Sequence, residues 1–350
     1  MGDLVENKEW YVAAYCPEGV PTSDHLKLRT VSLSLASDSI PDNHLAVETL
    51  LLSVDPFLRG TITGTVEGLF ISQFQLDQVL TTFAVVRVIR SKDSKYSVGD
   101  LLLNGYGLVA EYSIVPSSHI IRKIDTSNGI SLSDYLGSLG VPGFAAWLGI
   151  EVLGDPKPGS NVFISAASGA VGMNAGQLAK IRGCRVIGST GSDDKVNLIK
   201  EQFGYDDGFN YNTESDFDAA LSKSYFPDGI DVYLDNVGGK MLEAVLNHVN
   251  MNARIPLCGM ISQYNKVWTE RDGVRNLLNI VGKEVRMEGF MIKSYLHRFG
   301  DFVKYIEGYL QEGKIKPKSK INIGIESFLE SLNSIFSSSN IGKVVVQVKT

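Results

Sequence analysis

Residues 164–172 read "ISAASGAVG", a short apolar strand end that runs into small residues and two glycines. In the dinucleotide fingerprint G-x-G-x-x-G the first glycine makes a tight turn. The second lets the backbone approach a pyrophosphate, and the third packs helix against strand. Here Ala167 takes the first place, Gly169 the second and Gly172 the third. A tight turn tolerates alanine better than a pyrophosphate approach would, so the two glycines kept are the ones hardest to replace. A helix beginning at this point aims its first N–H groups and the positive end of its dipole at the phosphates.

An imperfect fingerprint is informative only in the right surroundings. From about residue 160 onward, strand-like runs at 161–165, 185–189, 209–211, 230–235, 254–258 and 285–290 alternate with helical patterns at 170–182, 195–203 and 241–249. Strands alternating with helices predict an α/β fold, a Rossmann doubly wound parallel sheet with ligand at the carboxyl ends of its strands. The first 130 residues differ. They are rich in β-branched residues and turns, as in "TTFAVVRVIRS" at 81–91, and predict a smaller, mostly β domain. Two amphipathic helices and the strand "KVVVQV" follow residue 295. The expected division is therefore 1–130 with 300–350 as one domain and 131–299 as the nucleotide-binding domain.

The length of 350 residues suits two domains, and the hydrophobic content of 44% suits a sizeable core. The net charge of −6, without a block of like charges, argues against nucleic acid or an acidic membrane surface as the main partner. No run is long and apolar enough to span a bilayer, and the polar start lacks a signal-peptide core, so a cytoplasmic location is expected. Three scattered cysteines, Cys16, Cys184 and Cys258, make neither a disulfide framework nor a four-cysteine zinc site. The five histidines stand apart from one another, and no metal site is expected.

The second strand decides the cofactor. NAD binders place Asp or Glu at its end to hold the ribose hydroxyls. Here 188–190 reads Gly-Ser-Thr, which leaves room for a 2′-phosphate, and Lys195 is placed to pair with one. Ser192 caps the next helix, with Asp193 and Asp194 in its favourable first turn. NADP(H) is the expected cofactor.

The stretches "AASGAVG" (166–172), "GSDDKV" (191–196), "DNVGGKMLEAVL" (235–246), "CGMISQYN" (258–265), "MEGF" (287–290) and "NIGKVVV" (340–346) are together similar to the zinc-independent medium-chain reductases. More narrowly, the chain resembles the plant NADP-dependent alkenal and enone double-bond reductases over essentially its whole length. The resemblance implies a GroES-like β domain beside the Rossmann domain, usually in a homodimer. It also implies reduction of the C=C bond of an α,β-unsaturated aldehyde or ketone, with hydride to the β-carbon. Cofactor contacts are implied for Ala166, Ala167, Ser168, Gly169, Ala170, Val171, Gly172, Gly191, Lys195, Tyr211, Asn236, Cys258, Tyr264, Phe290, Met291, Ile292 and Asn340. Tyr264 matches the tyrosine held near the nicotinamide and the substrate carbonyl, and is the expected catalytic residue.

Departures fall on the substrate side. The family's Asp-Pro-Tyr-Met-Arg becomes "DPFLR" at 55–59, so Phe57 has no hydroxyl. A glycine-rich strand start becomes "TTFAVV", Trp147 replaces a common tyrosine, and Lys293 stands where relatives more often carry a small or uncharged residue. Phe57, Tyr264 and Lys293 are the expected substrate-side residues. The same scaffold also supports a quinone oxidoreductase, or a protein that binds NADPH with little turnover.

Overall fold

A computed structural model describes residues 3–65 and 72–349. It divides into two units, Gly137–Lys318 and Met1–Leu136 with Ser319–Thr350.

In the unit Gly137–Lys318, six parallel strands lie in the order Asp207–Asn210, Arg185–Thr190, Asn161–Ile164, Ile230–Leu234, Val249–Leu257 and Arg286–Gly289. Numbered along the chain this is 3-2-1-4-5-6, the doubly wound Rossmann order. The strand order reverses between Asn161–Ile164 and Ile230–Leu234, where Ile164 pairs with Leu234. Parallel strands covered on both faces need apolar residues throughout. Accordingly Val162, Phe163, Ile164, Tyr233 and Leu234 are fully buried, with the Phe163 ring stacked on Tyr233 at 5.0 Å. The crossover helix Asp193–Phe203 begins and ends as its caps dictate. Ser192 accepts a hydrogen bond from the Lys195 amide to start Asp193–Phe203, and Gly204, at φ +72°, closes it.

The boundary expected at residue 300 lies instead at 318. Helix Phe299–Gln311 belongs to the Rossmann unit because its aromatic face needs aromatic partners there. Phe299 and Phe302 pack on Phe144 at 5.2 and 5.1 Å, and Phe302 also meets Trp147 at 6.2 Å. The following chain is held by Gln177, which donates to the Lys316 carbonyl and accepts from its amide. Trp147 is thus a core residue of this unit.

In the other unit, strands Leu4–Val12 and Leu26–Ser34 form an antiparallel pair. A larger sheet runs Ser319–Ile323, Lys343–Gln347, His44–Val54, Thr81–Ser91, Leu101–Leu108 and Ile120–Lys123. Helix Phe328–Phe336 joins its first two strands and covers the core through Phe328 and Leu332. A buried ion pair ties the C-terminal strand to the turn after Val54. Lys343 Nζ lies 2.6 Å from Asp55 Oδ1 and 2.9 Å from the Val54 carbonyl, and Ser53 donates to the other Asp55 oxygen. Burial pulls the Lys343 ammonium pKa down, and Asp55 opposes that shift. The bond therefore joins the segment carrying Phe57 to the one carrying Asn340. Among the described residues no helix is long and apolar enough to cross a membrane.

Candidate active site

The turn after the first Rossmann strand is built from backbone clearance. Ala166 adopts φ +50°, which reverses the chain, and the Gly169 amide donates back to the Ala166 carbonyl at 3.0 Å. Ala167 is tolerated at the first fingerprint position because a glycine faces it. A Cβ on Gly188 would lie 2.5 Å from the Ala167 methyl. Gly172 is required for packing, since a Cβ there would lie 2.4 Å from the Ala166 carbonyl oxygen. Gly169 differs from both. A Cβ on it would meet a single atom within 4 Å, the Ala166 oxygen at 3.2 Å, so this face of the turn is open. Helix Ala170–Ile181 starts here without a side-chain cap. An open glycine before uncapped N–H groups fits a pyrophosphate. Tyr205 supports the turn from behind, donating its hydroxyl to the Gly172 carbonyl at 2.8 Å.

At the end of the second strand Gly188, Ser189 and Thr190 are buried, and no carboxylate stands among them. Asp193 and Asp194 are exposed on the next helix, where Asp193 Oδ1 accepts from Asn210 at 2.9 Å. Lys195 is buried to 7% exposure beside this strand end. Gly191 accepts from Asn212 through its carbonyl, and the Tyr211 amide donates to Thr190. A lysine beside a strand end without a carboxylate fits a 2′-phosphate.

The loops after the fourth and fifth strands are clamped together. The Asp235 carbonyl accepts from the amides of Cys258 and Gly259 at 2.9 and 3.1 Å, and the Asn236 carbonyl accepts from the Ile261 amide. Gly238 and Gly239 adopt φ +69° and +55°, and side chains lie directly over them. A Cβ at either would come within 2.8 Å of Met260 or 2.5 Å of Gln263. Gln263 in turn exchanges two hydrogen bonds with Asp272.

This clamp holds Tyr264. Its phenol oxygen accepts a hydrogen bond from the Met260 amide at 3.2 Å. Burial raises the phenol pKa and the Met260 amide opposes that shift, so the hydroxyl stays protonated at neutral pH. An oxygen that accepts from the protein keeps its own proton for another acceptor. Burial pushes the thiol of nearby Cys258 up to about 12, which favours its protonated form.

The sites expected from sequence thus fall as follows. Ala166, Ala167, Ser168, Gly169, Ala170, Val171, Gly172, Gly191, Lys195, Tyr211, Asn236, Cys258 and Tyr264 lie along the carboxyl edge of one sheet. Phe290, Met291 and Ile292 follow its last strand, with the exposed Lys293 next. Phe57 and Asn340 belong to the other unit. There Phe57 meets Phe83 edge-on at 6.3 Å, so two of the substitutions in the substrate-side pattern form one aromatic pair. Ser165, Tyr233, Asp235, Met260 and Gln263 support the site without having been expected to. Of these only Asp235, a carboxylate at the end of a buried strand, carried a signal in the sequence. Among the described residues no group of three or more His, Cys, Asp or Glu side chains could hold a metal ion.

Comparison with known proteins identifies the relatives of this chain. A model described as zinc-binding dehydrogenase matches residues 170–308, and one described as the N-terminal domain of oxidoreductase matches residues 8–122. The chain is 41% identical to an NADP(+)-dependent 2-alkenal reductase of Nicotiana tabacum over 99% of both chains. It is 38% identical to (+)-pulegone reductase of Mentha piperita, again over 99% of both. The crystal structure of CurA from Vibrio vulnificus in complex with NADPH, 31% identical, superposes with a TM-score of 0.88 over 98% of this chain and 99% of that one.

Proposed function

Because the chain belongs to the NADP-dependent alkenal and enone double-bond reductases of the medium-chain dehydrogenase/reductase family, we propose that it reduces the C=C bond of an α,β-unsaturated aldehyde or ketone with NADPH. The observation that carries this reading is the Tyr264 hydroxyl, fixed through its oxygen by the Met260 amide and therefore free to donate.

NADPH, when bound, supplies the hydride. The chain's own work is to hold it and to stabilise charge on the substrate. The turn 166–172 and the N-terminus of Ala170–Ile181 bind the pyrophosphate, and Lys195 pairs with the 2′-phosphate. Hydride addition at the β-carbon moves negative charge onto the substrate oxygen as an enolate. Tyr264 donates to that oxygen without adding a charge of its own, the role of a preorganised oxyanion donor. Within this unit residues 290–292 complete the cofactor contacts, and Lys293 borders the substrate.

The reaction needs no zinc, since the enolate charge is met by a hydroxyl. The protein works in the cytoplasm, consistent with three free cysteines, two of them buried. It acts as a homodimer. Strand Arg286–Gly289 is the last in its sheet, and the helix leading into it leaves Leu278 and Val281 exposed at 79% and 75%. A panel of enals, enones and quinones, followed by NADPH absorbance, tests the assignment. Turnover of quinones alone would make it a quinone reductase, and no turnover at all would leave a cofactor-binding protein.

A further inference from the structure

A chain of buried hydroxyls runs beneath the point where the strand order reverses. The Asn236 amide donates to Ser165 Oγ at 3.0 Å. Ser165 Oγ lies 3.0 Å from the Tyr233 hydroxyl, which lies 2.7 Å from Asp235 Oδ1. That same oxygen also accepts the amides of Val237 and Gly238, each at 2.8 Å. Ser165, Tyr233 and Asp235 are fully buried. A buried carboxylate carrying three or more donors is an expensive group unless the arrangement is kept whole.

What this network fixes is Asn236. Its side-chain nitrogen donates to the Ser165 carbonyl at 2.8 Å. The flipped amide would set two carbonyl oxygens against each other, so the nitrogen faces inward and Oδ1 faces away. Asn236 is thus held twice by Ser165, once through its backbone and once through its side chain. Ser165 is followed directly by the phosphate turn, and Asn236 stands across the reversal point, on the side of strands four to six. A dinucleotide bound at such a point places one mononucleotide on each side. With the 2′-phosphate assigned to the Lys195 corner, the nicotinamide half falls on the Asn236 side.

We propose that Ser165, Tyr233 and Asp235 are positioning residues that lock the Asn236 amide with its oxygen presented as an acceptor to a hydroxyl or carboxamide donor of the nicotinamide half. This rests on the cofactor site proposed above, and it assigns a task to three residues that touch no ligand themselves.

Binding separates a positioning role from a merely structural one. The fragment 2′,5′-ADP fills only the adenosine side, whereas NADPH fills both. Fluorescence and calorimetric titration of the parent should show both ligands bound. Failure of the parent to bind NADPH would remove the cofactor site and this inference with it. Tyr233→Phe removes one hydroxyl and should weaken NADPH about tenfold while leaving 2′,5′-ADP unchanged. Ser165→Ala serves as the second variant if the first does not fold. Asn236→Ala should lose as much, and combining it with Tyr233→Phe should cost nothing further, because both act through one contact. Parent-like NADPH affinity in Tyr233→Phe and Ser165→Ala would overturn the proposal. So would equal losses for NADPH and 2′,5′-ADP, or additive losses in the double variant.

Discussion

Gly259 stands so close to Tyr264 that a methyl group on its α-carbon would lie 2.9 Å from the phenol oxygen. Its φ is not positive, so alanine meets no backbone strain there, and the clash with the phenol is the whole effect. Gly259→Ala should therefore push the hydroxyl off the Met260 amide and imitate Tyr264→Phe. Loss of one oxyanion donor costs about 10²–10³ in rate elsewhere, and the lower end is expected at a site that is only partly buried. Steady-state rates of both single variants and the double variant check this. A double variant much slower than either single would show that the two changes act separately.

Lys195 should decide between cofactors. A charge-assisted contact to the 2′-phosphate contributes about 1.5–3 kcal/mol. Lys195→Ala should weaken NADPH about tenfold to a hundredfold while NADH changes little. Equal losses would mean that this buried lysine serves the fold instead.

On the proposed assignment of Phe57 to the substrate, its pairing with Phe83 should shape specificity. Adding a hydroxyl by Phe57→Tyr should raise kcat/KM for small enals, which are held mainly through their carbonyl. Bulky apolar enones should gain less. Unchanged ratios across a substrate series would place this ring away from the substrate.

Alkylation tests the assignment of Cys258 as a bystander. With its thiol pushed up to about 12, Cys258 holds little thiolate at pH 8. Burial also raises Cys16 and Cys184. Native protein should resist iodoacetamide at pH 8 and react fully after denaturation, as read by mass spectrometry. Rapid native labelling of Cys258 with loss of activity would give the thiol a role.

Much of the Rossmann unit was legible because its central strands are short apolar runs and helix Asp193–Phe203 carries its own caps. The alanine at 167 was legible as a turn residue, but Gly188, which makes room for its methyl, lies on another strand and only the fold pairs them. Helix Phe299–Gln311 shows its apolar face in the sequence, yet periodicity cannot say whether Phe302 meets Phe144 or the β unit. The hydroxyl network was hidden for a similar reason. Ser165 and Tyr233 read as ordinary strand residues until hydrogen bonding brings them together across 68 positions. Tyr264 was marked by its motif, whereas the amide that fixes it is a property of the loop's conformation.

The most direct test of the account is the fate of the hydride. NADPH carrying deuterium at the transferred position should be incubated with a simple enone and the product analysed by NMR. The expected product is a saturated ketone with deuterium on the former β-carbon, formed about a hundredfold more slowly by Tyr264→Phe. An allylic alcohol carrying deuterium on its carbinol carbon would contradict it.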